Sequence, residues 1–312
     1  MVEKLYNAKK RIVKLYHDYL TIDGTYTSLL PDIIYLKKLY KKRMGIELNL
    51  KNPKTFNEKL QWLKLYDRNP EYTKMVDKYE VRDFVKAKIE QKGYKCSDVG
   101  LCFIPILGVW DSVDEVDFSS LPNQFVLKCN HDNGVMICKD KSKLDIEKIK
   151  KELEYRLHRN YYKKGREWPY KNVKRRIICE TFMQEKNHSG LTDYKFFCFN
   201  GKVKSVLIVT DRFDSIKENY YTKDFVRFPF SKGALCSDDI FEKPKTYSLM
   251  IRLAELLAES IPHIRIDFYE INQKIYFGEM TLFDGGGFEK FIPEEWDYTF
   301  GNWIKLPAKR RR

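Results

Sequence analysis

HIRIDFYEINQKIYFGEMTL, residues 263–282, is the stretch that decides the fold of this chain. Apolar residues recur at a period of two in each half, which is typical of half-buried β-strands. Asn-Gln-Lys separates the halves, so the stretch predicts a hairpin in which Ile271 pairs with Ile275 around a three-residue loop. In that register Ile266 lies opposite Met280, and the apolar side chains share one face.

The same register places two carboxylates, Asp267 and Glu279, directly opposite each other. Opposed like charges repel, so the pair requires a cation nearby. One interpretation is a pair of solvated acids on the outer face of a sheet, with Arg265 and Lys274 reducing the repulsion. The other interpretation is a metal site, and the hairpin alone favours neither.

Composition and length limit the class of protein. The 312 residues are 43% hydrophobic and 15% aromatic, which excludes a disordered or collagen-like chain and allows one complex domain or two. The longest uncharged apolar stretch, VGLCFIPILGVW from Val99, is interrupted by Pro105 and is too short to cross a bilayer. The N-terminus shows no secretory signal, so we expect a cytoplasmic protein, with the inner face of the membrane as a second location.

The cysteines and histidines argue against zinc and disulfides. Seven cysteines occur without a C-x-x-C pair, and none of the five histidines lies at ligand spacing from another His or Cys. Any metal held by this chain would therefore have oxygen ligands, which favours Mg²⁺ or Mn²⁺.

Positive charge is concentrated in one part of the chain. The net charge is +14, and residues 141–176 contribute +9, from 14 Lys and Arg against 5 Asp and Glu. The segment is either a solvated helical surface or a field that attracts a nucleotide, a sugar nucleotide, a lipid-linked glycan or an anionic membrane. No zinc finger, RNP signature or basic heptad region is present, so nucleic acid is not an expected partner.

QFVLKCNHDNGVMICKD, residues 124–140, predicts a second hairpin. One strand ends in Lys128, a polar loop at 130–134 contains Asn-Gly, and the next strand starts at Val135. Backbone N–H groups of such a loop, beside a strand-borne lysine, can close over a polyphosphate. An ordinary hairpin with a surface lysine is the alternative.

The remaining pattern is mixed α and β without an internal repeat. Thr55 and Glu58 form a capping-box signature at the start of one helix, and further helices are predicted at 71–90 and 248–259. Strands are predicted within 175–184 and 193–213.

Taken in order, these segments resemble the TupA-like branch of the ATP-grasp enzymes, which is associated with bacterial teichuronopeptide and capsular polysaccharide synthesis. The resemblance runs from about Asn52 to Pro307. The segments that carry it are NPKTFNEKLQWLKLYDRNP with DKYEVRDFV, LPNQFVLKCNHDNG, RRIICETFM, and RIDFYEINQKIYFGEMTLFDGGG. It implies an α/β (α+β) fold in which two α+β subdomains clasp a nucleotide.

The resemblance also implies a division of the chain. Residues 1–120 would form a helical N-terminal region and a first α/β subdomain, and residues 121–187 a lid subdomain. Residues 188–312 would form the C-terminal subdomain with the metal site.

ATP with Mg²⁺ or Mn²⁺ is the cofactor set that the resemblance implies. Lys128 would contact the α and β phosphates. The loop residues His131, Asp132, Asn133 and Gly134 would close on the γ phosphate. The adenine pocket would be lined by Glu180, Thr181, Phe182 and Met183.

The resemblance places the metal on Asp267 and Glu279, with Thr281 where the family more typically has Asn. Asp193 and Lys195 match an Asp-x-Arg of related ligases, with Lys in place of Arg. Asp193 is therefore expected at the nucleotide. The candidates for stabilising the transferred phosphoryl group and the acyl phosphate are Arg212, Arg265 and Lys195.

The implied reaction is a carboxylate–amine ligation through an acyl phosphate. The acceptor would be a uronic-acid-containing glycan or a sugar nucleotide, and the donor an amino acid or another amine. Alternatives are an ATP-dependent phosphotransferase, a metal-dependent glycosyltransferase, and a non-catalytic glycan- or membrane-binding protein. Against the glycosyltransferase, Asp238-Asp239 lacks D-x-D spacing.

Overall fold

The computed structural model describes residues 21–22, 25–26, 30–185, 190–211, 216–234 and 236–309. Within these ranges it is built from two main β-sheets with helices around them, so the expected α/β (α+β) class is confirmed. The helices are α1 (Asp32–Met44), α2 (Phe56–Tyr66), α3 (Tyr72–Val76), α4 (Val81–Glu90), α5 (Ile146–His158), α6 (Tyr162–Gly165), α7 (Tyr247–Leu257) and α8 (Glu295–Trp303).

The larger sheet has six strands in the order β10-β9-β8-β12-β13-β3. All neighbours are antiparallel except β3, which runs parallel to β13. These strands are β3 (Leu101–Phe103), β8 (Asp193–Phe199), β9 (Lys202–Thr210), β10 (Lys217–Thr222), β12 (His263–Ile271) and β13 (Lys274–Thr281).

The smaller sheet is antiparallel, with the order β4-β7-β5-β6. Two further two-stranded sheets pair β1 with β2 and β11 with β14. These strands are β1 (Thr21–Ile22), β2 (Thr25–Tyr26), β4 (Ile106–Trp110), β5 (Phe125–Cys129), β6 (Val135–Cys138), β7 (Ile177–Thr181), β11 (Ser231–Lys232) and β14 (Phe291–Ile292).

Each main sheet has its own core. Leu153 and Leu157 of α5 pack on the smaller sheet, beside Phe125 and Leu127 of β5. The larger sheet packs α7 against β8, β9 and β12, with Met250 and other apolar side chains of that helix fully buried. Consecutive residues of β8 and β12 are buried, so this sheet is covered on both faces.

The burial of both faces of the larger sheet tests the two interpretations of Asp267 and Glu279. Asp267 is 1% exposed, so its interpretation as a solvated outer-face acid is wrong. Glu279 keeps 37% of its side-chain area exposed. Asp267 is therefore buried inside the sheet, whereas Glu279 stays partly accessible to solvent.

The central hairpin pairs Asp267 with Glu279 and Ile266 with Met280, as predicted. The part of the hairpin between these pairs and the turn has a different register from the predicted one. Ile271 pairs with Lys274, so the predicted three-residue loop is wrong. The turn has two residues, Asn272 and Gln273, with φ of 51° and 62°. This combination suits the right-handed twist of a hairpin.

A β-bulge restores the predicted register beyond the turn. The pairing shifts between Phe268 and Asp267, because Phe268 lies opposite Phe277 while Asp267 lies opposite Glu279. Gly278 is the extra residue on β13, and a Cβ there would lie 2.9 Å from the backbone oxygen of Asp267. Glycine therefore permits the close approach that brings the two acids face to face.

The helix predicted at 71–90 is divided into α3 and α4. Asp77 lies at the break, where its carboxylate accepts hydrogen bonds from the backbone N–H groups of Tyr79 at 2.8 Å and Glu80 at 3.2 Å. These bonds hold the turn between the two helices, and Lys78 in that turn approaches the smaller sheet, where its backbone N–H donates to Asn130 O at 3.0 Å. The predicted capping box of α2 is confirmed, between Thr55 and Glu58.

The division of the chain between the two sheets differs from the expected boundaries. β3 joins the larger sheet, while β4, three residues later, joins the smaller one through β7. The smaller sheet thus takes strands from 106–181, on both sides of the boundary expected at residue 120. No helix in the described part of the chain is long and apolar enough to span a membrane.

Candidate active site

A cavity of about 380 Å³, here called the first cavity, lies between the two sheets. The smaller sheet contributes Val126 and Lys128 to its wall, and the larger sheet contributes Tyr269 and Phe277. Of the predicted site residues, it is lined by Lys128, Asn133, Glu180, Thr181, Phe182, Met183 and Asp193. Its position between two sheets and its apolar walls suit a flat ring system.

The pleat of β5 explains how Lys128 reaches this cavity. Phe125, Leu127 and Cys129 are fully buried in the core of the smaller sheet, so the alternate residues Val126 and Lys128 face the cleft. The Lys128 ammonium lies 2.7 Å from a carboxylate oxygen of Glu180 on β7. A cation paired with a carboxylate that lines the cleft can exchange that partner for a phosphate.

Two cations of the first cavity were missed by the sequence analysis. Lys78 lies at the α3–α4 break, and its Nζ donates to the backbone oxygen of Asp132 at 2.6 Å. Burial lowers the pKa of Lys78, although the Glu279 carboxylate raises it in part. Arg82, the second residue of α4, lies 3.7 Å from Glu180 and donates to Ile104 O at 2.7 Å. Both occur in DKYEVRDFV, but spacing alone does not reveal a helix break that faces a cleft.

Fewer residues of the loop 130–134 line the first cavity than the resemblance implies. Asn133 is exposed and lines the cavity, whereas His131 is buried, with Nε2 3.1 Å from Arg159 O. Burial lowers the pKa of His131 to about 4, so the ring is neutral at pH 7. The N–H of Gly134 donates to Asp132 Oδ1 at 2.9 Å, and Asp132 also accepts from Arg156 at 3.0 Å.

Arg265 bridges the two opposed acids. Its Nε and Nη2 each donate to Asp267 at 2.7 Å, and Nη2 also donates to Glu279 at 2.8 Å. Lys195 of β8 donates to Asp267 at 2.7 Å and to Asp193 at 3.1 Å. The cation that the facing carboxylates require is thus present in the chain as a guanidinium, aided by an ammonium.

The network continues to the loop after β13. Nη1 of Arg265 donates to Asp284, which also accepts from the buried Lys232, and Lys232 in turn contacts Glu289. Burial opposes ionisation of Asp284, but Lys232 and Arg265 hold its pKa well below the usual range. The whole network contains three cations and five carboxylates, so its formal charge is −2. Its members are Lys195, Lys232, Arg265, Asp193, Asp267, Glu279, Asp284 and Glu289.

The donor chemistry of this network fits Mg²⁺. Asp267, Glu279 and Thr281 offer two carboxylates and a hydroxyl, and Thr281 Oγ1 lies 3.3 Å from Glu279. Mg²⁺ commonly uses one or two carboxylates and completes its shell with phosphate oxygens and water. In the described ranges, no three His, Cys, Asp or Glu side chains form a metal-binding group. A metal held here would therefore need ligands from a bound substrate.

A second cavity, of about 470 Å³, shares Lys78 and Asn133 with the first. Of the predicted residues, Asp132, Asn133, Arg265, Glu279 and Thr281 line it. Many of its other lining residues are aromatic or charged, among them Arg43, Tyr161, Lys164, Glu167, Tyr170, Phe283 and Phe288. Two of the three predicted metal residues, Glu279 and Thr281, thus lie where a nucleotide cleft would meet a second substrate.

The remaining predicted residues lie elsewhere. Asp267 is buried behind Arg265, and Lys195 lines a third cavity of about 990 Å³ that also reaches Arg265. His131 and Gly134 line neither the first nor the second cavity. Arg212 lies outside the described residues.

Several solved ligases are similar to this chain. The D-alanine–D-alanine ligase of Bacillus anthracis complexed with ATP is 13% identical at a TM-score of 0.35, over 67% of this chain and 53% of that one. The L-amino acid ligase of Bacillus licheniformis is 13% identical at 0.42, over 74% and 49%. The D-alanine–D-alanine ligase of Helicobacter pylori is 12% identical at 0.39, over 75% and 60%. This chain thus spans about half of the length of these ligases.

No curated protein matches the sequence. A family match covers most of the chain: residues 58–305 match the TupA-like ATP-grasp family. The matched span includes both main sheets, the first and second cavities and the whole Arg265 network, apart from Leu39 and Arg43 of the second cavity. The chain therefore belongs to the TupA-like ATP-grasp family.

Proposed function

We propose that this protein is an ATP-dependent carboxylate–amine ligase that acts through an acyl phosphate. The observation that carries the proposal is the junction of the two cavities at Lys78 and Asn133. An apolar cleft with Lys128 and Arg82 opens there into a chamber that holds Arg265 and Glu279. Membership of the ATP-grasp family supports ATP as the ligand of the first cavity.

The first cavity orients the nucleotide in this proposal. Phe182 and Met183 form the apolar surface for the base, at the end of β7. Lys128 and Lys78 contact the phosphates, and both are close enough to Glu180 for its charge to be offset before ATP arrives. The γ phosphate then lies near the shared wall, toward Arg265.

The second cavity carries the chemistry. A substrate carboxylate attacks the γ phosphorus, the bond to the β-phosphate oxygen breaks, and ADP leaves. An amine then attacks the acyl carbon, and phosphate leaves from the acyl phosphate. Arg265, fixed by three carboxylates, is oriented before the reaction and stabilises charge on the transferred group. Mg²⁺, when held by Asp267, Glu279 and Thr281, would offset phosphate charge during transfer.

We propose a uronic-acid-containing surface polysaccharide, or its sugar-nucleotide precursor, as the carboxylate acceptor. Four aromatic rings line the second cavity, and aromatic faces suit the apolar faces of sugar rings. The exposed Arg43 and Lys164 at the same cavity suit an anionic acceptor. ATP chemistry places the proposed reaction in the cytoplasm, where segment 141–176 is available to an anionic glycan or an anionic membrane.

Hydroxylamine trapping tests the reaction class. With ATP, Mg²⁺ and glucuronate as the acceptor probe, hydroxylamine should convert an acyl phosphate into a hydroxamate while ADP is released. Glu279→Gln should lower ADP release by about 100-fold, since it removes a preorganised charge at the transferred group. A phosphate ester without hydroxamate would replace the ligase by a phosphotransferase. A glycosyltransferase would release no ADP from ATP.

A further inference from the structure

Glu167 is a buried carboxylate of the second cavity that phosphoryl transfer does not use. It is 9% exposed and lines the cavity between α6 and the 3₁₀ turn Trp168–Asn172. Across the described ranges, no side chain or backbone group donates a hydrogen bond to its carboxylate, and no cation lies within ion-pair distance. A buried carboxylate is costly without a partner, so a ligand is the natural source of one.

The buried cation whose charge acts most strongly on Glu167 is bonded to other groups. Lys64 of α2 donates to the backbone oxygens of Gly165 at 2.9 Å and Gly286 at 2.6 Å, and to Gln61 Oε1 at 3.1 Å. Both glycines line the second cavity. Lys64 therefore holds two walls of the chamber together, and its charge acts on Glu167 only from a distance.

The field around Glu167 leaves the carboxylate able to accept a proton. Burial raises its pKa, Lys64 and Lys164 lower it in part, and Asp284 raises it. A carboxylate of raised pKa is a better base than an exposed glutamate.

Two tyrosines flank the same carboxylate. The ring centroids of Tyr161 and Tyr170 are 4.8 Å apart, and both side chains line the second cavity. Burial raises the pKa of both phenols, Glu167 is the next cause in each case, and Glu279 raises both pKa values further. Two aromatic rings beside a carboxylate form an environment that suits an ammonium group.

We propose that Glu167, flanked by Tyr161 and Tyr170, binds the ammonium group of the amine donor and accepts one of its protons. The inference rests on the proposed ligase function. The amine nitrogen forms a bond to the acyl carbon, and the bond from that carbon to the phosphate oxygen breaks. Of the two protons that the ammonium loses, Glu167 takes one and the departing phosphate carries the other.

Comparison of two nucleophiles tests the role of Glu167. Methylamine is protonated at pH 7 and needs both an ammonium site and a base, whereas hydroxylamine is neutral and needs neither. Glu167→Gln should lower methylamide formation from ATP and glucuronate by about 100-fold. Hydroxamate formation should stay within about threefold of wild type. Glu167→Asp, which keeps the charge on a shorter side chain, should restore part of the methylamide rate.

The control is Glu154→Gln, which removes a carboxylate from α5 outside the three cavities and should change neither rate. Equal methylamide rates in Glu167→Gln and wild type would overturn the proposal. Loss of both products in a folded Glu167→Gln protein would do so too, because it would show a role in orienting ATP or Lys64. Absence of hydroxamate from wild type would instead contradict the ligase function.

A binding measurement addresses Glu167 without turnover. Methylammonium chloride, compared with sodium chloride at equal ionic strength, should raise the melting temperature of wild type and not of Glu167→Gln. Equal shifts in the two proteins would refute an ammonium site at Glu167, whatever reaction the enzyme catalyses.

Discussion

The two cavities that meet at Lys78 and Asn133 differ in how their charges are balanced. In the first, Lys128 shares the single carboxylate of Glu180 with Arg82, at 2.7 and 3.7 Å. In the second, Arg265 is held by three carboxylates, and one of these is shared with Lys232. The first cavity can exchange its ion pairs for a ligand, whereas the second is fixed before any ligand arrives.

This difference assigns separate tasks to the two regions. A site that binds and releases a nucleotide gains from contacts that are easily replaced. A site that stabilises charge during reaction gains from groups that do not reorganise. Substitutions in the second cavity should therefore affect folding and chemistry together, while those in the first should affect mainly nucleotide affinity.

Arg265→Met should have the largest effect. It leaves Asp267, Glu279 and Asp284 without their shared cation, and breaking a buried ion network by removing one partner costs about 3 to 5 kcal/mol of unfolding free energy. Urea unfolding followed by tryptophan fluorescence measures the loss. Millimolar Mg²⁺ should restore part of it, because the remaining carboxylates can share that cation.

Arg82→Met is the matched control in the first cavity. It removes a single hydrogen bond to Ile104 O and a long contact to Glu180, so about 1 to 2 kcal/mol of unfolding free energy is expected. Equal losses for Arg82→Met and Arg265→Met would contradict the view that only the second cavity is fixed in advance.

Lys128→Met should weaken ATP binding by about 1.5 to 3 kcal/mol, the range for a hydrogen bond to a charged group. The fold should tolerate the change, since Glu180 keeps Arg82 nearby. Lys78→Met should weaken ATP binding by a similar amount. It should also slow the formation of ADP, because Lys78 lines both cavities. Calorimetric titration with ATP gives the affinities. Unchanged ATP affinity in both variants would show that ATP does not bind in the first cavity.

Part of this arrangement could be predicted from the sequence. The facing pair Asp267 and Glu279 was predicted correctly, although the structure reaches it through a shorter turn and a bulge at Gly278. The turn and the bulge each shift the register by one residue, and their effects cancel. Alternation reports which face a residue occupies, but it contains no signal for a bulge at a glycine.

The second cavity was harder to predict because its residues come from distant segments without a common period. Glu167 follows a short helix, and Lys78 lies in a break within what the sequence presents as one helix. The sequence also did not reveal that both faces of the larger sheet are buried. Charged residues at inward positions of β12 and β8 suggest a solvent-exposed face, but Asp267 and Lys195 neutralise each other there. Only tertiary pairing reveals that Asp267 and Lys195 are partners.

The smallest predicted effect compares two buried histidines, one beside the smaller sheet and one in the larger sheet. His131 lies in the loop beside the first cavity, and His263 begins β12, where its ring packs edge-on against Phe56 at 4.9 Å. Burial lowers the pKa of each to about 4, from an ordinary value of 6.5. Below pH 6.5 the unfolded chain binds a proton at each histidine and the folded chain does not, so unfolding free energy falls as the pH falls toward 4. Between pH 6.5 and 5.5 each should contribute a loss of about 1 kcal/mol.

His263→Phe keeps the aromatic packing of the larger sheet and should reduce the pH-dependent loss of unfolding free energy by about 1 kcal/mol between pH 6.5 and 5.5. His131→Gln should reduce it by the same amount, even though it loses the contact with Arg159 O and is less stable at every pH. The slope of unfolding free energy against pH, and not its absolute value, is the measurement. A reduced slope for only one of the two buried histidines would show that the other region already opens to water at pH 5.5, before global unfolding, and would locate the more labile half of the cleft.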